Sequence, residues 1–205
     1  MIVANAYETR RLKLLARLAV GQTVLDIGYA QQPNPFLKGH RVGLDLNPSA
    51  PDAQVRYEEE ILGDAADLQS LCADRTFDTV ICAELIEHVE NPYALLRALR
   101  PFVAPGGKLL VSTPNPLAFP VIVAEVLQLQ RYFYTRDHLY YFLPRWVARL
   151  FEATGYVLER TVPVGLWSPL GALPVVPTVM SYQVIYVGRV DRVLASATGD
   201  PDFAP

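Results

Sequence analysis

Three aspartates stand where short apolar runs of this 205-residue chain end. They are Asp26 in Val24-Leu25-Asp26-Ile27-Gly28, Asp45 in Gly43-Leu44-Asp45-Leu46, and Asp64 in Gly63-Asp64-Ala65. A glycine closing the first run lets a ligand come close to the backbone. An acidic residue closing the second can accept both hydroxyls of a ribose. Asp45 follows Asp26 by 19 residues, the interval expected between the two parts of a nucleoside-binding βαβ unit. Asp26 is itself informative. A negative charge there would repel a pyrophosphate and suits a ligand carrying an ammonium or sulfonium group. Asp64 can accept from an adenine amino group, and the amide that follows it can donate to the ring.

The elements that must hold these carboxylates can be read from the hydrophobic pattern. Residues 4–19 predict an amphipathic helix with Leu12, Leu15, Leu18 and Ala19 on one face, stopped by Gly21. Buried strands are predicted at Thr23–Ile27, Arg41–Leu46, Tyr57–Leu62, Phe77–Ala83 and Lys108–Thr113, the last after a Pro105-Gly106-Gly107 turn. A helix over Pro92–Leu99 takes Asn91 as its cap. This alternation predicts an α/β fold, a doubly wound, mostly parallel seven-stranded sheet with helices on both faces. A helix over Pro144–Thr154 places Trp146, Val147, Leu150 and Phe151 on one face. Two final strands, Tyr156–Val162 and Tyr182–Val190, are joined without a helix and should pair antiparallel, making the last strand antiparallel. The chain divides as an N-terminal helix (1–20), a ligand-binding half (21–113), an apolar and aromatic lid or acceptor region (114–145), a C-terminal helix and strands (146–190) and a tail (191–205).

Composition narrows the partners. With 51% hydrophobic and 19% charged residues the chain is globular. A net charge of −3 and the lack of a Lys/Arg cluster point away from nucleic acid. Cys72 and Cys82 read as small buried apolar residues, not a disulfide framework. The charged N-terminal helix is not a signal peptide and no run of about 18 apolar residues spans a membrane, so the expected location is cytoplasmic.

The stretch Phe77-Asp78-Thr79-Val80-Ile81-Cys82-Ala83-Glu84-Leu85-Ile86-Glu87-His88-Val89, continued by Leu95 to Pro105 and Gly106-Gly107, carries a more specific signal. Together with His138-Leu139-Tyr140-Tyr141-Phe142 and Thr154-Gly155-Tyr156 it resembles the class I methyltransferases, in particular the small-molecule, ubiquinone-type enzymes, over residues 20–162. That resemblance implies S-adenosyl-L-methionine as cofactor and a small-molecule or glycan-precursor acceptor, methylated most readily at oxygen. It implies that Asp26, Gly28, Tyr29 and Ala30 line the methionine part, Asp45 and Leu46 the ribose side, Asp64 and Ala65 the adenine, and Ala83, Glu84 and Leu85 the wall beside the sulfonium. One departure stands out. The family's glycine-rich loop is replaced here by Tyr29-Ala30-Gln31-Gln32-Pro33-Asn34-Pro35. Ala30 can stand in for a glycine if its φ is negative.

Of the three histidines, His40 precedes the second strand, far from the transferred methyl group, whereas His88 and His138 are candidate general bases. The bland alternatives are a helix tether for His88 and a packed surface role for His138. Glu84 and Glu87 could position the cofactor or orient a histidine. No metal is expected, because the order Glu84/Glu87/His88 matches no common metal motif. Tyr132, Phe133, Tyr134, Tyr140, Tyr141 and Phe142 could wall an apolar acceptor or pack a lid. The apolar run 116–130 should cover the site, touch a membrane surface peripherally, or form a homodimer contact. Two other functions stay open: a non-catalytic adenosyl-binding protein with a degenerate loop, and a nicotinamide-dependent oxidoreductase.

Overall fold

The computed structural model describes residues 2–51, 53–127, 138–168, 171–173 and 176–191. Helix α1 (Ile2–Leu18) leads into strand β1 (Thr23–Ile27). β2 (His40–Asp45), β3 (Glu59–Leu62), β4 (Phe77–Ala83) and β5 (Val103–Pro114) follow, with α2 (Leu68–Leu71) and α3 (Pro92–Leu99) between them. α4 (Phe119–Val126) and α5 (Pro144–Ala153) precede β6 (Tyr156–Ser168), β7 (Gly171–Leu173) and β8 (Gln183–Val190).

The strand order is β3-β2-β1-β4-β5-β8-β6-β7. β1 to β5 run parallel, while β8 is antiparallel to both β5 and β6. Seven strands make the principal sheet, as the alternation of the sequence predicts, and the three-residue β7 pairs with the far end of β6. The order reverses between β1 and β4. In an open α/β sheet, ligands enter at the carboxyl ends of strands on either side of such a reversal. Gly28 and Glu84 are the residues that leave β1 and β4 at that point.

Period-two alternation sorts the strand side chains onto two faces. Val24, Ile81, Leu110 and Ile185 pack with Tyr7 and Leu15 of α1 and with the loop residues Tyr29 and Leu37. Leu25, Val80, Cys82, Leu109 and Val111 pack on the other face against Leu95, Leu96 and Leu99 of α3 and Val147, Leu150 and Phe151 of α5. Both cysteines are buried and free. α3 begins as predicted: the Asn91 side chain accepts from the Ala94 amide, and Pro92 occupies the first turn, where no N–H is needed. Asp78 of the Phe-Asp pair is structural. Its carboxylate accepts from the Gln22 and Thr23 amides and the Thr23 hydroxyl at the sheet's opposite edge.

Several boundaries differ from expectation. Pro105-Gly106-Gly107 lies inside β5, where the register jumps from Phe77↔Val103 to Thr79↔Lys108, so the segment forms an irregularity within a strand and not a free turn. β6 runs six residues further than predicted. Trp146 is not on the buried face of α5; it is 49% exposed with Arg149 over its ring, because the buried arc is already filled by Val147, Leu150 and Phe151. The tail from 192, and Tyr132, Phe133 and Tyr134 of the lid, lie outside the described residues. No helix among the described residues is long and apolar enough to cross a membrane.

Candidate active site

The cleft opens at Gly28, which is exposed and has φ +77. Its amide donates to the Leu44 carbonyl, and the nearest side chain to a Cβ placed there is Leu85, at 3.5 Å. Backbone at this turn is therefore open to a ligand on one side and floored by Leu85 on the other. Ala30 is not among the residues with positive φ, so it stands in for a glycine without strain. Its amide donates to Asp45 Oδ2 (3.0 Å), while Oδ1 of the same carboxylate accepts from the Asn47 amide (2.9 Å). Each carboxylate oxygen keeps a lone pair for an outside hydroxyl, which is what a ribose 2′,3′-diol requires.

Beyond Asp45 the surface turns apolar. Leu46 is 65% and Leu62 63% exposed, unusual for leucines at two neighbouring strand ends, and they suit a flat ring. Asp64 is exposed and caps the short 3-10 turn Ala65–Asp67, accepting from the Ala66 amide (2.9 Å).

Tyr29 requires a correction. Its ring does not face the cleft. It lies over Gly43, where an added Cβ would sit 2.4 Å from the ring, and it stacks on Tyr57 with centroids 4.9 Å apart. The pattern suggested a cleft residue by position; the backbone after Gly28 turns the side chain into the core instead. Tyr57 in turn donates to Asp26 (2.6 Å) and accepts from the Asn34 amide (2.8 Å), tying the loop after β1 to the carboxylate. Burial pushes the Asp26 carboxyl up to about 6, against the opposing pull of the Tyr57 hydrogen bond and of Arg11.

Arg11 is the residue that sequence reasoning missed. It is 6% exposed and donates to Glu8 (Nε, 3.0 Å; Nη2, 2.7 Å) and to the Gln32 side chain. It stands 3.9 Å from Glu84 and also feels the Asp26 charge. Glu84 has left-handed backbone, φ +51, the strained turn that ends β4. Its carboxylate accepts from the Ser112 hydroxyl (2.8 Å) and the Gln183 amide nitrogen (2.7 Å). One guanidinium thus stands among three carboxylates, those of Glu8, Glu84 and Asp26. That site is complementary to a group bearing a carboxylate and an excess of positive charge.

His88 and His138 are brought together from 50 residues apart, with ring centroids 4.7 Å apart. The Leu139 and Tyr140 amides donate to the Glu87 carbonyl (2.8 and 3.3 Å), and the Tyr140 hydroxyl donates to the Glu90 carbonyl, which staples the 138–140 segment to the loop after β4. Ligand atoms of Glu87, His88 and His138 lie within 4.8 Å of one another. Glu87 is 1% exposed, and among the described residues neither of its carboxylate oxygens meets a partner at ordinary hydrogen-bond geometry. Burial, followed by the Glu84 charge, raises its carboxyl well above the usual carboxylate range. A carboxylate with two imidazoles is a donor set that suits a divalent transition metal, which the order of residues in the sequence had argued against. The Tyr141 ring stands edge-on to His138 with centroids 6.0 Å apart, so an aromatic ring flanks the histidines; burial, ahead of the charges of Glu84 and Glu8, pushes the Tyr182 phenol up. Tyr140 and Phe142 do not join Tyr141: Tyr140 is turned to Glu90, and Phe142 packs on the core. His40 is exposed at the start of β2, 3.9 Å from Glu59, at the edge of the sheet away from the cleft.

Comparison with known proteins agrees with this geometry. A family model described as a methyltransferase domain matches residues 2–161. The chain is 36% identical over 171 residues to the ubiquinone biosynthesis O-methyltransferase of Xanthomonas euvesicatoria, covering 75% of this chain and 68% of that one. It is 36% identical over 154 residues to the same enzyme of Aeromonas salmonicida, covering 68% and 64%. For other such relatives the match spans about half of their length. Among solved structures, magnesium protoporphyrin IX methyltransferase of Synechocystis with bound S-adenosylhomocysteine (SAH) superposes with a TM-score of 0.59 at 17% identity, covering 91% and 84%. The CcbJ methyltransferase of Streptomyces caelestis gives 0.62 at 15%, covering 90% of each chain. A sheet that reverses between β1 and β4, a glycine turn open to a ligand, the 36% identity to a methyltransferase over 171 residues and the match to the domain model over 2–161 lead to one assignment: the chain belongs to the class I S-adenosyl-L-methionine-dependent methyltransferases.

Proposed function

We propose that the chain transfers a methyl group from S-adenosyl-L-methionine to an oxygen of a small-molecule acceptor. The observation that carries this is the buried cluster of Arg11 with Glu8, Asp26 and Glu84 beside the open Gly28 turn. The cofactor supplies an electrophilic methyl carbon on a positively charged sulfur. Its methionine end bears one carboxylate and two positive centres, a charge pattern the cluster complements, with Arg11 toward the carboxylate and Asp26 toward the ammonium. Asp45 holds the ribose hydroxyls, Leu46 and Leu62 flank the adenine, and Asp64 receives its amino group.

On the acceptor side, His88 and His138 are the bases for a hydroxyl proton, a contribution of roughly 10²–10⁴-fold. Alignment in a site closed to water supplies the larger share, up to about 7–11 kcal/mol. Tyr141, Tyr182 and the exposed apolar residues Leu117, Phe119 and Ile122 support an acceptor with apolar or aromatic character. The names of the ubiquinone-pathway relatives support oxygen as the site of methylation. A second feature favours a different use of the same residues: the convergence of Glu87, His88 and His138 supports a divalent cation held there, in which case both imidazoles are ligands instead of bases and the cation would lower the pKa of the acceptor hydroxyl.

Calorimetric titration of ligand-free protein with SAH tests the cofactor reading. Saturable binding, weakened at least tenfold by Asp45→Ala, is expected; no heat with SAH but saturation by NAD would overturn it. Transfer of a labelled methyl group to a panel of phenols, catechols and aliphatic alcohols tests catalysis. Tight SAH binding with no transfer to any member would favour the non-catalytic alternative.

A further inference from the structure

The loop that replaces the family's glycines, residues 29–37, is held shut by α1. Arg11 donates to the Gln32 side chain, and Asn34 Nδ2 donates to the Leu12 carbonyl (2.9 Å). Two prolines and Asn34, whose Oδ1 accepts from the Phe36 amide (3.0 Å), fix the loop's own shape. α1 is in turn fastened to the far half of the sheet. The Tyr7 hydroxyl donates to the Gly165 carbonyl (3.1 Å) and accepts from the Gln183 amide (3.0 Å). Arg10 Nε donates to the neighbouring Val164 carbonyl (2.5 Å). The receiving backbone is shaped for this: β6 shifts register between Pro163 and Gly165, Gly165 has φ +135, and the buried Ser181 hydroxyl supports Gly165 from below. Gln183 joins the two ends of the arrangement, since its backbone amide meets Tyr7 while its side chain donates to Glu84, the carboxylate beside Arg11.

We propose that α1 is the closing element of the cofactor site, and that Tyr7 and Gln183 are positioning residues that hold Arg11 and the proline-stiffened loop over the methionine end of the bound cofactor. In this chain a side-chain clamp does the work that backbone flexibility does in a glycine-rich loop. A clamp must open for a ligand to pass, and its closed state is the one that binds, so cofactor binding and α1 docking share one equilibrium. The inference rests on the cofactor reading above and adds to it a part played by residues that do not touch the ligand.

The test uses the full chain with Tyr7→Phe, which removes one hydroxyl and keeps the ring packed against Tyr182. Two ligands are titrated: SAH, and 5′-methylthioadenosine, which lacks the amino-acid part. The variant should bind SAH about tenfold more weakly, the scale expected when a buried donor and acceptor lose their common partner, and methylthioadenosine within about twofold of wild type. Gln183→Leu should show the same split. Hydrogen exchange should show SAH protecting residues 2–18 in wild type and protecting them less in Tyr7→Phe. A general loss of folding would weaken both ligands together, and that outcome would overturn the assignment. So would unchanged SAH affinity in both variants, or α1 exchange indifferent to SAH in wild type. Wild-type protein that binds no SAH at all would sink the cofactor reading along with this one.

Discussion

Asp26→Asn should make the protein more stable and less able to bind its cofactor, and the two effects can be separated by pH. The Asp26 carboxyl is pushed up from 3.8 to about 6 in the folded protein, chiefly by burial, with the Tyr57 hydrogen bond and Arg11 pulling the other way. A raised carboxyl pKa means that folding disfavours the charged form. The group costs nothing below about pH 4, where both folded and unfolded chains hold the proton. Its cost grows between about pH 4 and pH 6 and is complete above that. A rise from 3.8 to about 6 corresponds to about 3 kcal/mol at pH 8. An asparagine accepts from Tyr57 in the same way but leaves an amide N–H₂ to be satisfied, costing about 1 kcal/mol or more. The net gain is therefore roughly 1–2 kcal/mol at pH 8, a rise in melting temperature of about 2–8 °C for a domain of this size, and it reverses to a net loss of about 1 kcal/mol near pH 4, where the carboxyl costs nothing and the unsatisfied amide remains. SAH affinity should fall about tenfold or more, as for the loss of a charge-assisted hydrogen bond to an ammonium. Thermal melts at pH 8 and pH 4.5 with calorimetry at pH 8 measure all three. A variant less stable than wild type at pH 8, or one that binds SAH as tightly, would refute the claim that Asp26 is held at an energetic cost for the ligand.

Glu87, His88 and His138 should bind Mn²⁺ or Zn²⁺ at one site per chain, and Glu87→Gln or His138→Ala should abolish that binding while leaving SAH affinity within about twofold. Electron paramagnetic resonance of Mn²⁺ reads this directly, and stoichiometric binding that survives Glu87→Gln would remove Glu87 from the site. Gly43→Ala places a methyl group 2.4 Å from the Tyr29 ring; overpacking of this kind costs about 1–3 kcal/mol, so the melting temperature should drop by several degrees. Tyr29→Ala should relieve the clash, with the double variant losing less than the two single changes together; strict additivity would show that the ring is not packed on Gly43.

What could be read from the sequence and what could not divide along a physical line. Strands buried on both faces announce themselves as apolar runs, and the ends of such runs in a doubly wound sheet must form the cleft. The places of Asp26, Gly28 and Asp45 at the strand ends were therefore legible: Asp26 is the penultimate residue of β1, Gly28 follows that strand and Asp45 closes β2. Arg11 was not. Its charge lies on an amphipathic helix, where basic residues ordinarily face solvent, and only the packing of α1 across β6 and the loop 29–37 turns it inward. Tyr29 failed for the opposite reason: adjacency to Gly28 placed it in the cleft, but the backbone direction after a left-handed glycine decides which way the ring goes. The pairing of His138 with Glu87 depends on the Leu139 and Tyr140 amides both donating to the Glu87 carbonyl, 52 and 53 residues away in sequence, a contact no periodicity encodes. These cases share a cause. Local pattern specifies a residue's element and often its face, but where two elements meet, orientation is set by the partner. The chemistry of this site is concentrated at such meetings: α1 with the altered loop, β8 with Glu84, and the 138–140 segment with the turn after β4. In the reading proposed above, the strand-end aspartates supply a nucleoside slot of a kind that many folds of this class share. What distinguishes this chain's choice of ligand and acceptor resides in the contacts between elements, and substitutions there should change specificity with little effect on the sheet.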